Sequence, residues 1–320
     1  MKTLLVLLLP LLVVTSSCSN RRQREQQRIA AEAAAADSAQ AAAPAKNLQM
    51  PDIPPMLDTP EARMDYLAAH YWMNLDFNDT VDIKRPEYGE QAWVDYIHVL
   101  EMMPNSKAGD ILERFFRRAG ENKTVYHFFT GMADKYLYDP NSPMRNEELY
   151  ISVLDAMLEG NVLTDAEKIR PRDRRVMAEK NRRGTQALNF TYTTVDGASG
   201  TLYGTAADYT LLFINNPGCH ACRETIEALK QAPHINRLLQ TGNLKILAVY
   251  PDEDRTEWEK HLPDFPETWL NGYDRSLTMK SKNLYDLKAI PTLYLMDSNK
   301  YVLLKDANVV DIENYLGNRS

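Results

Sequence analysis

The chain has 320 residues, 44% apolar and 25% charged, enough to bury one or two ordinary cores. A net charge of −7, with no long basic stretch in the part expected to fold, argues against nucleic acid as a partner. Beyond the N-terminus, no segment is long and apolar enough to span a bilayer.

Met1-Lys2-Thr3 is a short basic start, and residues 4–14 are apolar apart from Pro10. That run is about half of the roughly 20 residues a spanning helix requires, so it reads as the apolar part of a secretory signal. Thr15-Ser16-Ser17-Cys18 follows. A small residue before a cysteine at this point resembles the bacterial lipoprotein cleavage box, with Thr15 where Leu is usual. The resemblance implies a lipid on Cys18, which becomes the first residue of the mature chain. Ordinary secretion, with Cys18 discarded, is the alternative. Residues 1–18 are therefore assigned to the signal with its lipidation cysteine, and 19–50 to a low-complexity tether. Arg21, Arg22, Arg24 and Arg28 lie nearest the membrane, and an Ala-rich stretch follows. Fully extended, the tether would reach roughly 100 Å. No acidic cluster follows Cys18, as it tends to in surface-exported lipoproteins of the Bacteroidetes type. The expected location is the cell envelope, lipid-anchored and facing the periplasm.

Residues 51–185 carry a helical pattern. Thr59-Pro60-Glu61 is a helix start, combining a capping hydroxyl, a first-turn proline and an early acid. Met64, Leu67, Ala68 and Tyr71 then recur at helical spacing. Further helices are predicted at 87–103, 107–120, 123–138, 146–159 and 164–182. Trp72, Phe77, Trp93, Tyr96, Phe115, Phe116, Phe128 and Phe129 are read as core, with a peptide-binding groove as the sharper reading. His70, His98 and His127 lack metal-ligand spacing, and no catalytic constellation is evident here.

From 186 to 320 the period becomes strand-like. Residues 190–195 and 201–203 flank the Asp196-Gly197 turn as a hairpin. Residues 209–214 form a buried strand that ends at Asn215-Asn216-Pro217-Gly218, before a helix over 219–231. A strand at 244–250, a short helix from Thr256 and another ending near Tyr285 come next. Two antiparallel strands, 291–296 and 301–304, join at Asp297-Ser298-Asn299-Lys300, and a helix from Val309 to Leu316 closes the chain.

Three cysteines are present, and lipidation of Cys18 would leave Cys219 and Cys222. A cross-link between residues this close closes too small a loop to stabilise much, so the spacing favours chemistry over stapling. Cys219 falls where a strand-turn feeds a helix. The unpaired amides and dipole of a helix N-terminus stabilise an anion, and the thiolate is the nucleophile of disulfide exchange. Cys222, one turn deeper, is placed to resolve a mixed disulfide. Zinc would need a second ligand pair, and haem attachment a histidine where Arg223 stands, so neither a metal nor another cofactor is expected.

These residues, together with Ala289-Ile290-Pro291-Thr292-Leu293-Tyr294-Leu295, resemble the thioredoxin superfamily over about residues 186–320. The extra hairpin and export signal are most similar to its TlpA/ResA-type membrane-tethered branch. The whole layout is similar to Bacteroidetes lipoproteins with a helical domain of unassigned role. The resemblance implies an α/β domain, a mixed sheet flanked by helices, behind an all-helical one. It implies a cis Pro291 facing the redox pair, with Ile290, Thr292 and His220 toward substrate. The implied activity is thiol-disulfide exchange with protein substrates, supplied by an upstream redox partner. A redox-inert binding lipoprotein on the same scaffold is the competing reading. The sequence departs from thioredoxins in having Pro217-Gly218 where Trp is usual, and Phe213 where a buried Asp serves proton transfer. His220-Ala221 between the cysteines leaves the direction of electron flow open.

Overall fold

The computed structural model describes residues 47–319; Cys18, the signal segment and residues 19–46 of the tether lie outside the described residues. Helix α1 (Pro60–His70) starts where Thr59 accepts the Ala62 amide, with Pro60 in the first turn. A π-helical turn, Pro86–Glu90, runs into α2 (Gln91–Glu101), and α3 (Asn105–Ala119) follows. Asn122 caps α4 (Lys123–Ala133), which continues into a second π-helical turn, Asp134–Tyr138. Asn146 caps α5 (Glu147–Glu159), and α6 (Ile169–Glu179) completes the helical half. This last helix is shorter than predicted. Thr164 and Glu167 bond one another in a preceding turn, and Asn181 leaves the helical region at φ 52°.

The aromatic residues of this half are core rather than groove. Trp93 and Phe129 are 0% exposed. Phe115 meets Phe129 edge-to-face with centroids 4.7 Å apart, and Trp72 and Tyr96 close the cluster.

The second half is a seven-stranded mixed sheet: β1 (Thr191–Thr194), β2 (Ser199–Thr201), β3 (Tyr209–Ile214), β4 (Leu244–Tyr250), β5 (Leu270–Tyr273), β6 (Thr292–Met296) and β7 (Val302–Lys305). Its spatial order is β2-β1-β5-β4-β3-β6-β7. Strand β4 pairs in parallel with β3 and β5, and the remaining pairs are antiparallel. Five helices accompany it: α7 (His220–Gln231), α8 (Pro233–Gln240), α9 (Arg255–His261), α10 (Thr278–Ser281) and α11 (Val309–Gly317). Alternation along the strands makes two cores. Leu211, Phe213, Ile246 and Leu295 pack with Ile226, Ile235 and Ile312 on one face. Leu212, Ile214, Leu247 and Tyr294 pack with Phe190, Met279 and Tyr285 on the other.

Two elements were not foreseen, and one ends early. Helix α8 and strand β5 are additional, and α10 stops at Ser281, short of Tyr285. Asn283 adopts φ 47°, and Tyr285 instead enters the core, donating its hydroxyl to the Leu188 carbonyl at 2.7 Å. Strand β5 holds Gly272 where a Cβ would lie 2.6 Å from the Tyr192 ring, so only glycine lets β1 carry that tyrosine.

The two halves are joined at the sheet edge. Residues 184–187 run along β7, with the Gly184 amide on the Val302 carbonyl and the Val302 amide on the Thr185 carbonyl, both at 2.8 Å. This strap covers an edge that would otherwise be open to pairing. Beside it, Lys305 donates to the Glu147 carboxylate at 2.7 Å and to the carbonyls of Lys180 at 2.7 Å and Ala178 at 3.2 Å. The Lys305 side chain is 7% exposed. Its three protons have three partners. Burial raises the Glu147 carboxyl above its usual range, with Lys305 opposing that shift.

Removing one member of a buried pair strands the other charge. Lys305→Ala is therefore expected to lower unfolding free energy by roughly 3–5 kcal/mol, read from urea denaturation of the whole chain. A change within experimental scatter of zero would show that the halves are held by other contacts.

Candidate functional site

Strand β3 delivers the chain to the site from the middle of the sheet. Asn215 is buried, and its side-chain amide donates to the carbonyls of Phe213 and Val249, both at 3.3 Å. The turn then passes through Gly218 at φ +71°, a left-handed conformation that suits glycine. Cys219 is the N-cap of α7, with extended backbone, and is half-buried. Its position exposes the thiol to the free amides of the first helical turn.

Cys222 lies one turn in and is 3% exposed. The Asn216 amide donates to its sulfur at 3.4 Å. Both cysteines are free thiols. Burial pushes the Cys222 thiol up to about 12; the Asn216 amide opposes this, while the neighbouring Cys219 adds to it. The two sulfurs thus occupy different environments: one half-exposed at a helix terminus, one buried against apolar side chains.

The Ile290–Pro291 bond is cis, as the resemblance implied. The Cys219 sulfur lies 3.9 Å from the Ile290 carbonyl oxygen, so the loop forms the wall beside the thiol. The Thr292 hydroxyl donates to the Ala289 carbonyl at 2.6 Å, spanning the proline. Cys219, Cys222, Ile290, Pro291 and Thr292 are therefore brought together. Thr292 is buried with its hydroxyl satisfied inside the loop, so its side chain shapes the wall instead of reaching for substrate. His220 stays on the open surface, its side chain 78% exposed and its Nδ1 3.5 Å from Glu224. Phe213, where a thioredoxin has its buried carboxyl, packs against Phe265 and Trp269 in the core.

One neighbour went unnoticed in the sequence. A Cβ on Gly218 would lie 3.6 Å from Nε2 of His261. The ring is held between Asp264, 2.8 Å from Nδ1, and Glu257, 3.0 Å from Nε2. The spacing of Glu257, His261 and Asp264 shows that they share a helical face. Nothing local places that face beside the redox turn.

A family described as a domain of unknown function (DUF5106) matches residues 17–181, and one described as thioredoxin-like matches residues 207–302. The crystal structure of a thioredoxin-like protein from Bacteroides caccae is 53% identical, covering 86% of this chain and 99% of that one, with a TM-score of 0.83. The C-terminal domain of an uncharacterized protein from Bacteroides fragilis is 61% identical over 43% of this chain and 98% of its own, with a TM-score of 0.42. A Bacteroides vulgatus structure, the thioredoxin domain of a thiol-disulfide oxidoreductase, is 21% identical over 43% of this chain and 97% of its own, with a TM-score of 0.39. No curated protein matches.

The difference between the thiols is directly measurable. At pH 8, iodoacetamide should label Cys219 at least tenfold faster than Cys222 in the folded, reduced chain, as read by peptide mass spectrometry. Unfolding in guanidinium should bring the two rates together.

Proposed function

The chain belongs to the thioredoxin-like superfamily and carries an N-terminal domain of unknown function (DUF5106), and on that premise we propose that it is a thiol-disulfide oxidoreductase of protein substrates. The observation that carries this reading is the arrangement at α7. The half-buried thiol of the N-cap residue lies 3.9 Å from the Ile290 carbonyl oxygen, and a second, buried thiol stands one turn behind it.

In the reducing direction, the Cys219 thiolate attacks one sulfur of a substrate disulfide. The substrate S–S bond breaks, a Cys219–substrate bond forms, and the other substrate sulfur leaves as a thiolate that takes up a proton. Cys222 then loses its proton and attacks Cys219, releasing the second substrate thiol and leaving a Cys219–Cys222 disulfide. Two electrons have passed to the substrate. A dithiol partner returns the pair to its reduced state; run backward, the same steps oxidise a substrate dithiol. Because burial keeps Cys222 protonated at neutral pH, the resolving step draws on a small thiolate fraction. Its rate should therefore rise with pH between 7 and 9.

We place the protein in the cell envelope, held by a lipid on Cys18 and facing the periplasm. The short apolar run and the small residues before Cys18 support this reading. Among the described residues no helix is long and apolar enough to cross a membrane.

Two measurements test these readings. Purified from its native envelope without reductant, Cys222→Ala should carry partner proteins as reductant-sensitive adducts, and Cys219→Ala should carry at least tenfold fewer. Equal, reductant-insensitive recovery from both would leave a binding protein on a thioredoxin scaffold. For the anchor, mass spectrometry of the mature N-terminus should find an acylated Cys18. A free amine on any later residue would refute it.

A further inference from the structure

A cleft of about 500 Å³ opens beside Pro291, and its two walls come from different halves of the molecule. Ala289, Pro291 and the turn after β7 make one wall. Ser142, Pro143 and the first turn of α5 make the other. The redox loop thus continues into a groove that the helical half completes.

That groove is built rather than incidental. Arg145 of the helical half pairs with Asp306, and Glu147 pairs with Lys305 at 2.7 Å. The Tyr138 ring receives the Arg174 guanidinium at 4.0 Å and the Lys288 ammonium at 4.1 Å, the latter from the segment leading to Ile290. Both walls are therefore tied to each other directly. The Bacteroides caccae structure supports the same disposition, because a TM-score of 0.83 with 86% of this chain covered requires the two halves to be placed alike.

The lining indicates what fits. Its internal charges cancel in pairs: Arg145 with Asp306, Lys305 with Glu147, and Glu148 with Arg182 at 2.9 Å. Arg183 and Asp311, of opposite sign, remain exposed at the rim. Among the lining residues, the cations Arg145, Arg183 and Lys305 stand against the anions Glu147, Glu148, Asp306 and Asp311, too small an imbalance to select an ionic ligand. No aromatic side chain lines the cleft, whereas small-molecule pockets are mostly apolar and aromatic. Proline and alanine surface with flanking hydrogen-bonding groups suits an extended polypeptide.

We infer that this cleft binds the stretch of substrate polypeptide flanking the disulfide under attack, which makes the helical half a substrate-recognition element of the redox site. The inference rests on the oxidoreductase reading above. It predicts that the helical half governs reaction with polypeptide disulfides and not with small ones.

The test uses the full chain with Cys222→Ala, so that the first covalent step is read alone and in one direction. Pro143→Trp on one wall and Asp311→Trp on the other are each added, both at exposed positions. Rates of mixed-disulfide formation are compared for insulin and for 5,5′-dithiobis(2-nitrobenzoate). The cleft assignment expects at least a tenfold loss toward insulin in both variants, with the small disulfide changed less than twofold. Unchanged insulin rates, or equal losses toward both substrates, would overturn the assignment while leaving the redox reading intact. A parent chain that reacts with neither disulfide would instead overturn the redox reading, and the cleft assignment with it.

Discussion

The ammonium of Lys305 sits at the end of an edge strand, with its donors taken by a carboxylate and two carbonyls from the helical half and its junction. Lysine is seldom buried to this degree unless every proton has a partner. The arrangement ties strand β7 to the start of α5 and the end of α6 at once. Arg145 meets Asp306 at the same junction, and these two line the cleft beside Pro291 together with Lys305 and Glu147. The helical half is a fixed part of the sheet's edge, with the strap at 184–187 closing the same boundary.

At the redox turn, position alone separates two chemically identical side chains. Cys219 takes the last non-helical position before α7, and Cys222 falls on the face that packs into the core with Ile226 and Leu229. Helical periodicity puts one sulfur at the open end and the other inside. With Phe213 in place of a carboxyl, no acid stands at that position to receive the Cys222 proton, and the Asn216 amide is the polar group that touches the buried sulfur. The burial that protects Cys222 from outside reagents also makes its ionisation costly, so protection and reactivity are coupled in one residue.

His261 stands beside the turn. Its ring is fixed by Asp264 and Glu257 and stands where a larger residue at 218 would meet it. Gly218 is favoured by its left-handed backbone, while a Cβ there would meet His261 only at ordinary contact distance.

Much of the fold was legible because its signals are local. Strands β3 and β4 are mostly apolar runs, interrupted only by Thr210 and the exposed Lys245, and their observed limits are the predicted ones. Thr59, Asn122 and Asn146 announce helix starts through side chains that bond amides two or three residues on. The two cysteines could be singled out for the same reason, since a strand-turn feeds a helix there, whereas Ile290-Pro291 stood out only through the resemblance to thioredoxins. Tertiary structure decided the rest. Leu270-Asn271-Gly272-Tyr273 has little strand character and is a strand because β4 and β1 hold it from both sides. Thr292 turned inward, His261 arrived beside Gly218, and the helical half came to wall the cleft beside Pro291. Backbone preference and hydrophobic period are set by residues close in sequence. A lysine meeting a glutamate from the other half of the chain depends on how finished elements pack, and no local pattern records that.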